Sequence, residues 1–229
     1  ETSRGSQEKF IALDIGPTGR LLRPYGDLDF EEAVALFARV VRLGVQYGAE
    51  AILIETMNDS YETKAVLLAA KENSDLPVFV SNAYGEDGKL MTGADPAAMV
   101  AMLEGMGADA IGVNCSLGPK ALAPVVEEYL RCASVPVLLK PNAGMPREEG
   151  GRAVYDVLPP EFAEDTAALV ARGVQVLGGC CGTTPEHIAA LVERTRGMKP
   201  VPVVPKEISW VSSYTHAVSF GQGPVLIGE

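Results

Sequence analysis

Cysteine and histidine are scarce in this 229-residue sequence, with four of the former and two of the latter. Four cysteines in so long a chain are too few for a disulfide scaffold, which leaves metal binding, catalysis or plain burial as their uses. Basic residues are also in deficit. Nineteen Lys and Arg face thirty Asp and Glu, for a formal net charge of -11. Without a local basic patch, and none is found, that balance argues against nucleic-acid and anionic-membrane partners. No run approaches the roughly 18 apolar residues of a membrane span. The polar start "ETSRGSQEK" lacks the basic-then-apolar order of a signal peptide, so a cytoplasmic location is expected. With 47% hydrophobic and 21% charged residues, the chain can build one sizeable core.

What is present is a repeat. Short runs rich in Val, Ile and Leu read as buried parallel strands: "FIALDI" (10–15), "AILIE" (51–55), "PVFVS" (77–81), "AIGVN" (110–114), "PVLLK" (136–140) and "VQVLGG" (174–179). Between them lie stretches of helical spacing. In residues 29–50, Ala33, Phe37, Val40, Val41 and Leu43 recur at spacings of three and four, with acids at the start. Stretches 60–73, 95–108, 118–133, 160–173 and 184–197 repeat the logic, several opening with Pro and closing with Gly. Consecutive βα units make either an open doubly wound sheet or most of an eight-stranded (β/α) barrel. The polar residues favour the TIM-type barrel. Asp14, Glu55, Asn82, Asn114, Lys140 and Cys180 all follow strand ends, and a barrel brings those ends to one mouth. About six βα units are expected over residues 1–198.

From Lys199 onward the helical period stops, and residues 199–229 carry four of the sixteen prolines. The stretch reads as a linker, and its last apolar run, "PVLIGE", as a strand that begins something further.

Half of the cysteines stand side by side in "GGCCGTTPEH" (178–187). Adjacent cysteines rarely bridge each other, because the small ring pulls the peptide from its trans geometry at a cost of about 2.5 to 4 kcal/mol. On the barrel reading, Cys115 follows one strand and Cys180 and Cys181 follow another, so three sulfurs converge at the mouth. Three thiolates suit zinc and leave its fourth position open, as in catalytic sites. Gly178, Gly179 and Gly182 give the backbone freedom around the pair. Cys132, on a helix ridge in "EYLRCA", reads as a buried hydrophobe.

"NCSLGP" (114–119) and "GGCCGTTPEHI" (178–188) resemble the zinc motifs of the homocysteine S-methyltransferases, while "DIGPTG", "IETM" and "KPNAG" resemble the variant in cobalamin-dependent methionine synthases. The likeness covers roughly residues 10–198. The tail from Trp210 resembles the linker and first strand of the folate-binding barrel that follows in those enzymes. The family's barrel begins with two further βα units, including an Asp-Gly-Ala-rich strand, that have no counterpart in this sequence.

The resemblance implies zinc on Cys115, Cys180 and Cys181, with Asn142 as a weak, displaceable fourth ligand. It implies that Glu55 meets the ammonium group of homocysteine. Methylcobalamin, carried by another module, is the implied methyl donor, and cobalamin modules, folate modules and the N-terminal barrel units are the implied partners. Asn82 and Asn114 are read as strand-end amides that orient ligands. His187, in the first turn of a helix, is expected at the surface or supporting the ligands, and His216 in the linker; neither is expected to bind metal. Two other readings stand beside this one: a Schiff-base enzyme using Lys140, and a non-catalytic barrel in which "GGCCGTTP" holds an anion or a structural zinc.

Overall fold

The computed structural model describes residues 8–221, 223 and 224. Its centre is a six-stranded parallel sheet in which spatial order follows chain order. The strands are β1 (Ala12–Ile15), β2 (Ala51–Met57), β3 (Val78–Asn82), β4 (Ala110–Asn114), β5 (Val137–Lys140) and, beyond a small hairpin, β8 (Val174–Leu177). A doubly wound sheet would reverse its order part-way; unbroken succession is the mark of a barrel wall. Among the described residues, β1 and β8 have no partner on their outer edges, so the wall is open there.

Five helices cross between successive sheet strands, α1 (Phe30–Gln46), α2 (Ser60–Asn73), α3 (Pro96–Gly105), α4 (Pro119–Cys132) and α5 (Pro159–Val170), and α6 (Pro185–Thr195) follows β8. Their starts follow local chemistry. Asp59 caps α2 by accepting from the N–H groups of Tyr61 and Glu62, and Asp95 caps α3 by accepting from Ala98 N–H, with Pro96 in its first turn. The helices cover the sheet, so β4 is buried at every residue, which explains its unbroken apolar run. Gly112 in β4 is obligatory, because a Cβ there would lie 1.9 Å from the Leu138 carbonyl oxygen.

On α1, Ala33, Phe37 and Val41 are buried as expected, whereas Val40 and Leu43 are exposed. Together with Leu36 they border a groove of about 410 Å³ on the outer side of α1. The apolar periodicity spans two faces: one packs on the sheet, and the other is uncovered among the described residues.

Two hairpins were not legible in the sequence. β6 (Arg147–Glu149) and β7 (Arg152–Val154) pair antiparallel between β5 and α5. β9 (Ser209–Ser212) and β10 (Ala217–Phe220) pair in the stretch read as a linker. This second hairpin is docked on the barrel wall. Tyr214 donates to Asp59 Oδ2 at 2.7 Å, Ser60 donates to the Tyr214 carbonyl at 2.8 Å, and Asp95 N–H donates to the Thr215 carbonyl at 3.0 Å. Trp210 packs against the main core. The strand expected in "PVLIGE" lies outside the described residues, apart from Pro224.

Candidate metal centre

The site is made where β4 and β8 end. β4 runs into Cys115 and Ser116, both in the left-handed region with φ near 60°. Residues with a Cβ pay for that conformation, so the turn is held by its surroundings. Cys115 N–H donates to the Lys140 carbonyl at 3.1 Å, and Leu117 N–H to the Cys115 carbonyl at 2.7 Å. Past β8, Cys180 N–H donates to the Pro141 carbonyl at 2.9 Å, and the Cys181 carbonyl accepts from Ala143 N–H at 3.0 Å. The adjacent cysteines are thus bound on both sides to the segment after β5.

Their glycines serve space more than torsion. Gly182 alone of the three has a positive φ, 78°, and a Cβ there would also strike the Tyr155 ring. A Cβ at Gly178 would come within 2.9 Å of Lys140 Cγ, and one at Gly179 within 2.5 Å of Thr183 Oγ1.

The result is a cluster of three sulfurs. Cys115 Sγ is 3.7 Å from Cys181 Sγ, Cys180 and Cys181 are 4.0 Å apart, and all three lie within 4.8 Å of one another. Tetrahedral zinc with Zn–S bonds of about 2.3 Å requires sulfurs about 3.8 Å apart. The donor set and its spacing therefore fit zinc. A hydrogen bond from Cys180 lowers the Cys115 pKa to about 7, while its counterpart from Cys115 and burial push Cys180 far up. Cys132 lies elsewhere, 1% exposed, its pKa pushed up to about 11 by burial.

Asn114 is fully buried and braces the cluster. Its Oδ1 accepts from Thr56 N–H and Ser81 Oγ, both at 2.8 Å, while its Nδ2 donates to Thr56 Oγ1 at 2.8 Å and points to Cys180 Sγ at 3.8 Å. Asn142 touches the site from another side, its Oδ1 accepting from Cys181 N–H at 3.1 Å. Asn82 is not brought to the sulfurs. Its amide donates to the Met57 carbonyl and Thr63 Oγ1, tying β3 to the start of α2, and its Oδ1 is buried without a partner among the described residues.

Glu55 pairs with Lys140. The β2–β3 register shifts between Ile54 and Met57, and Thr56 is left-handed with φ 60°. Such a bulge re-aims side chains at a strand end, here those of Glu55 and Thr56. Burial lowers the Lys140 pKa.

His187 is buried rather than at the surface. Its Nδ1 accepts from Thr184 N–H at 3.1 Å and its Nε2 lies 2.9 Å from the Val157 carbonyl, so the neutral Nε2–H tautomer closes a capping box for α6. His216 instead pairs with Asp95 at 3.0 Å in the docked hairpin.

A family model for homocysteine S-methyltransferases matches residues 1–195. The chain belongs to this family. Among relatives, the methionine synthases of Mycobacterium leprae and Mycobacterium tuberculosis are each 32% identical, over 246 and 238 residues. Those matches cover 100% of this chain but 20% of each relative, so the chain spans about a fifth of their length. The fold resembles that of the Escherichia coli homocysteine methyltransferase MmuM. Its metallated form superposes with a TM-score of 0.67 at 22% identity, covering 85% of this chain and 63% of that one. Its oxidised form gives 0.68 at 21%, covering 84% and 64%. Within this family member, Thr56 and Tyr155 are site residues that the sequence did not single out. Thr56 carries the hydrogen bonds to Asn114, and Tyr155, on the loop after β7, lies against Gly182, its pKa raised by desolvation and by the nearby Cys181.

Proposed function

We propose that this chain is the homocysteine-activating barrel of a methionine synthase, in which the thiol of homocysteine accepts a methyl group. The observation that carries the reading is the spacing of the three sulfurs at the strand mouth, which suits zinc with one position left open. A free thiol has a pKa of about 8.5 and is mostly protonated near neutrality. Zinc held by Cys115, Cys180 and Cys181 would supply the missing activation, lowering the thiol pKa while three thiolates keep the sulfur electron-rich.

The chain's own residues do the rest. Asn114 fixes Cys180 through the Thr56 bulge, and Asn142 offers a weak oxygen that a thiolate displaces, a role supported by its contact with Cys181 N–H. Glu55 takes the substrate ammonium. The methyl donor is methylcobalamin carried by a separate module of a longer enzyme, and a folate-binding barrel follows the tail hairpin. The reaction belongs to the cytoplasm; none of the described helices is long and apolar enough to cross a membrane.

Metal analysis of single variants tests the reading. Cys115→Ser, Cys180→Ser and Cys181→Ser should each lose stoichiometric zinc, and Cys132→Ser should keep it. Full zinc occupancy in Cys181→Ser would overturn the ligand set, and failure of the zinc-loaded wild type to bind homocysteine would overturn the substrate.

A further inference from the structure

Where the β9–β10 hairpin docks, it does not meet the helices flush. A cavity of about 450 Å³ lies between α2, α3, the hairpin and the loop before α1, and that is the size of a small-molecule site. None of the residues placed at the sulfur cluster lines it. Its sides are firmly held. Tyr214, in the turn of the hairpin, is fixed by Asp59 and Ser60, and its ring centre lies 5.9 Å from that of Tyr61 on α2, itself 4.7 Å from Phe30. The loop carrying Arg23 is anchored by the buried Leu22 and Leu28, with Arg23 N–H donating to the Leu28 carbonyl at 2.9 Å.

The lining divides by chemistry. Tyr61, Tyr214, Met99 and Met102 offer aromatic rings and thioethers, which adapt to an apolar body of irregular shape. The charged residues are Arg23 and Lys64. No carboxylate lines the cavity, although acids outnumber bases by thirty to nineteen in the chain. Charge of one sign beside an apolar recess selects an amphiphile of the other sign. The two cations are unequal: Arg23 Nη1 pairs with Asp29 at 3.2 Å, whereas Lys64 has no ion pair among the described residues. Its neighbours one helical turn away, Ser60, Tyr61, Leu67 and Leu68, are uncharged. One uncompensated positive charge matches a monoanion, while a dianion would bring a second charge with no free partner.

We propose that this cavity binds a small carboxylate with an aromatic body, the ring against Tyr61, Tyr214 and the methionines and the head on Lys64, and that occupancy fastens the hairpin to the barrel. Tyr214 belongs to the hairpin, and Tyr61 and Lys64 to α2, so the site is complete only when the hairpin is docked. A ligand that needs both favours the docked form by mass action, by one plus the ratio of its concentration to its Kd. The sulfur cluster has no part in this binding.

Calorimetry on the full chain, with phenylpropionate as probe, tests the site against the neutral phenylpropionamide and the dianionic phenyl phosphate. The carboxylate should bind more tightly than either. Lys64→Met should weaken it about 5-fold, the upper end for an exposed ion pair, and leave the amide unchanged. Ala98 also lines the cavity, so Ala98→Phe puts a ring into it and should abolish binding of both. Lys64 is exposed, so its variant keeps the test decisive even where Ala98→Phe does not fold. With the probe at about ten times its Kd, the docked hairpin should gain roughly 10-fold over the undocked one, moving the Trp210 fluorescence transition to higher urea. An amide as tight as the carboxylate, or a tighter phenyl phosphate, would overturn the monoanion. Binding with no shift at Trp210, or no binding at all, would overturn the site.

Discussion

Cys115 and Cys180 occupy unlike electrostatic positions although their sulfurs share one small volume. The hydrogen bond from Cys180 favours the Cys115 thiolate and brings its pKa to about 7, and the same interaction together with burial holds the Cys180 proton on. In zinc-free protein, alkylation at Cys115 should therefore rise with pH through about 7 and level off above it, while Cys180 stays unreactive over that range. Peptide mapping after brief iodoacetamide treatment measures this, and equal labelling of both cysteines at neutral pH would contradict it. Zinc should suppress the labelling. The three cysteines were legible in the sequence because each follows a strand end, and the side-by-side pair has few other uses. Thr56 and Tyr155 were not. A threonine inside an apolar run carries no sign of a left-handed backbone, and Tyr155 reaches Cys181 only through the path of a loop. Asn82 was legible as a strand-end amide, but position along a strand does not say which way the amide turns; here it faces Thr63 on α2.

Among the elements, the β9–β10 hairpin is joined to the wall by polar contacts that concentrate on helix caps. Asp59 uses Oδ1 to cap α2 and Oδ2 to hold Tyr214, while Asp95 caps α3 with Oδ1 and meets His216 with Oδ2. Each carboxylate therefore joins a helix start to the hairpin. Tyr214→Phe removes one such link and should loosen the hairpin by about 1 kcal/mol, the net worth of a typical hydrogen bond. Trp210 is the sole tryptophan and packs on the core from β9, so its fluorescence reports docking directly. In urea, the Trp210 signal of the variant should change before the helical circular dichroism, and coincident transitions would show that hairpin and barrel unfold together. The six sheet strands were readable because buried parallel strands are continuous apolar runs. The β6–β7 hairpin was hidden because Arg147–Glu149 is exposed throughout and leaves no alternation to read. Prolines upstream made the tail look like a linker, and its later alternation in Ser209–Ser212, exposed then half-buried, was too short to outweigh them.

At the scale of the whole molecule, the sheet formed by the described residues ends in two open edges, β1 and β8, with an apolar groove beside Leu36, Val40 and Leu43 on α1. Open edges and uncovered apolar faces invite association. Joining two further βα units ahead of β1, to close the wall between β1 and β8, should raise the melting temperature and lower binding of a hydrophobic dye. A melting temperature unchanged by that addition would show that the edges are covered in another way. The unbroken strand order also has a kinetic side. Every sheet strand pairs with the one before it, so contacts can form progressively along the chain, each closing a loop of one βα unit. The sulfur cluster is the exception, because Cys115 and Cys181 stand 66 residues apart and meet only after β5 and β8 have joined the wall. Zinc uptake should consequently lag the recovery of circular dichroism during refolding, which a metal indicator followed in parallel would detect. The sulfur cluster then works as a completion signal: it is assembled only in molecules whose last sheet strand has found its place.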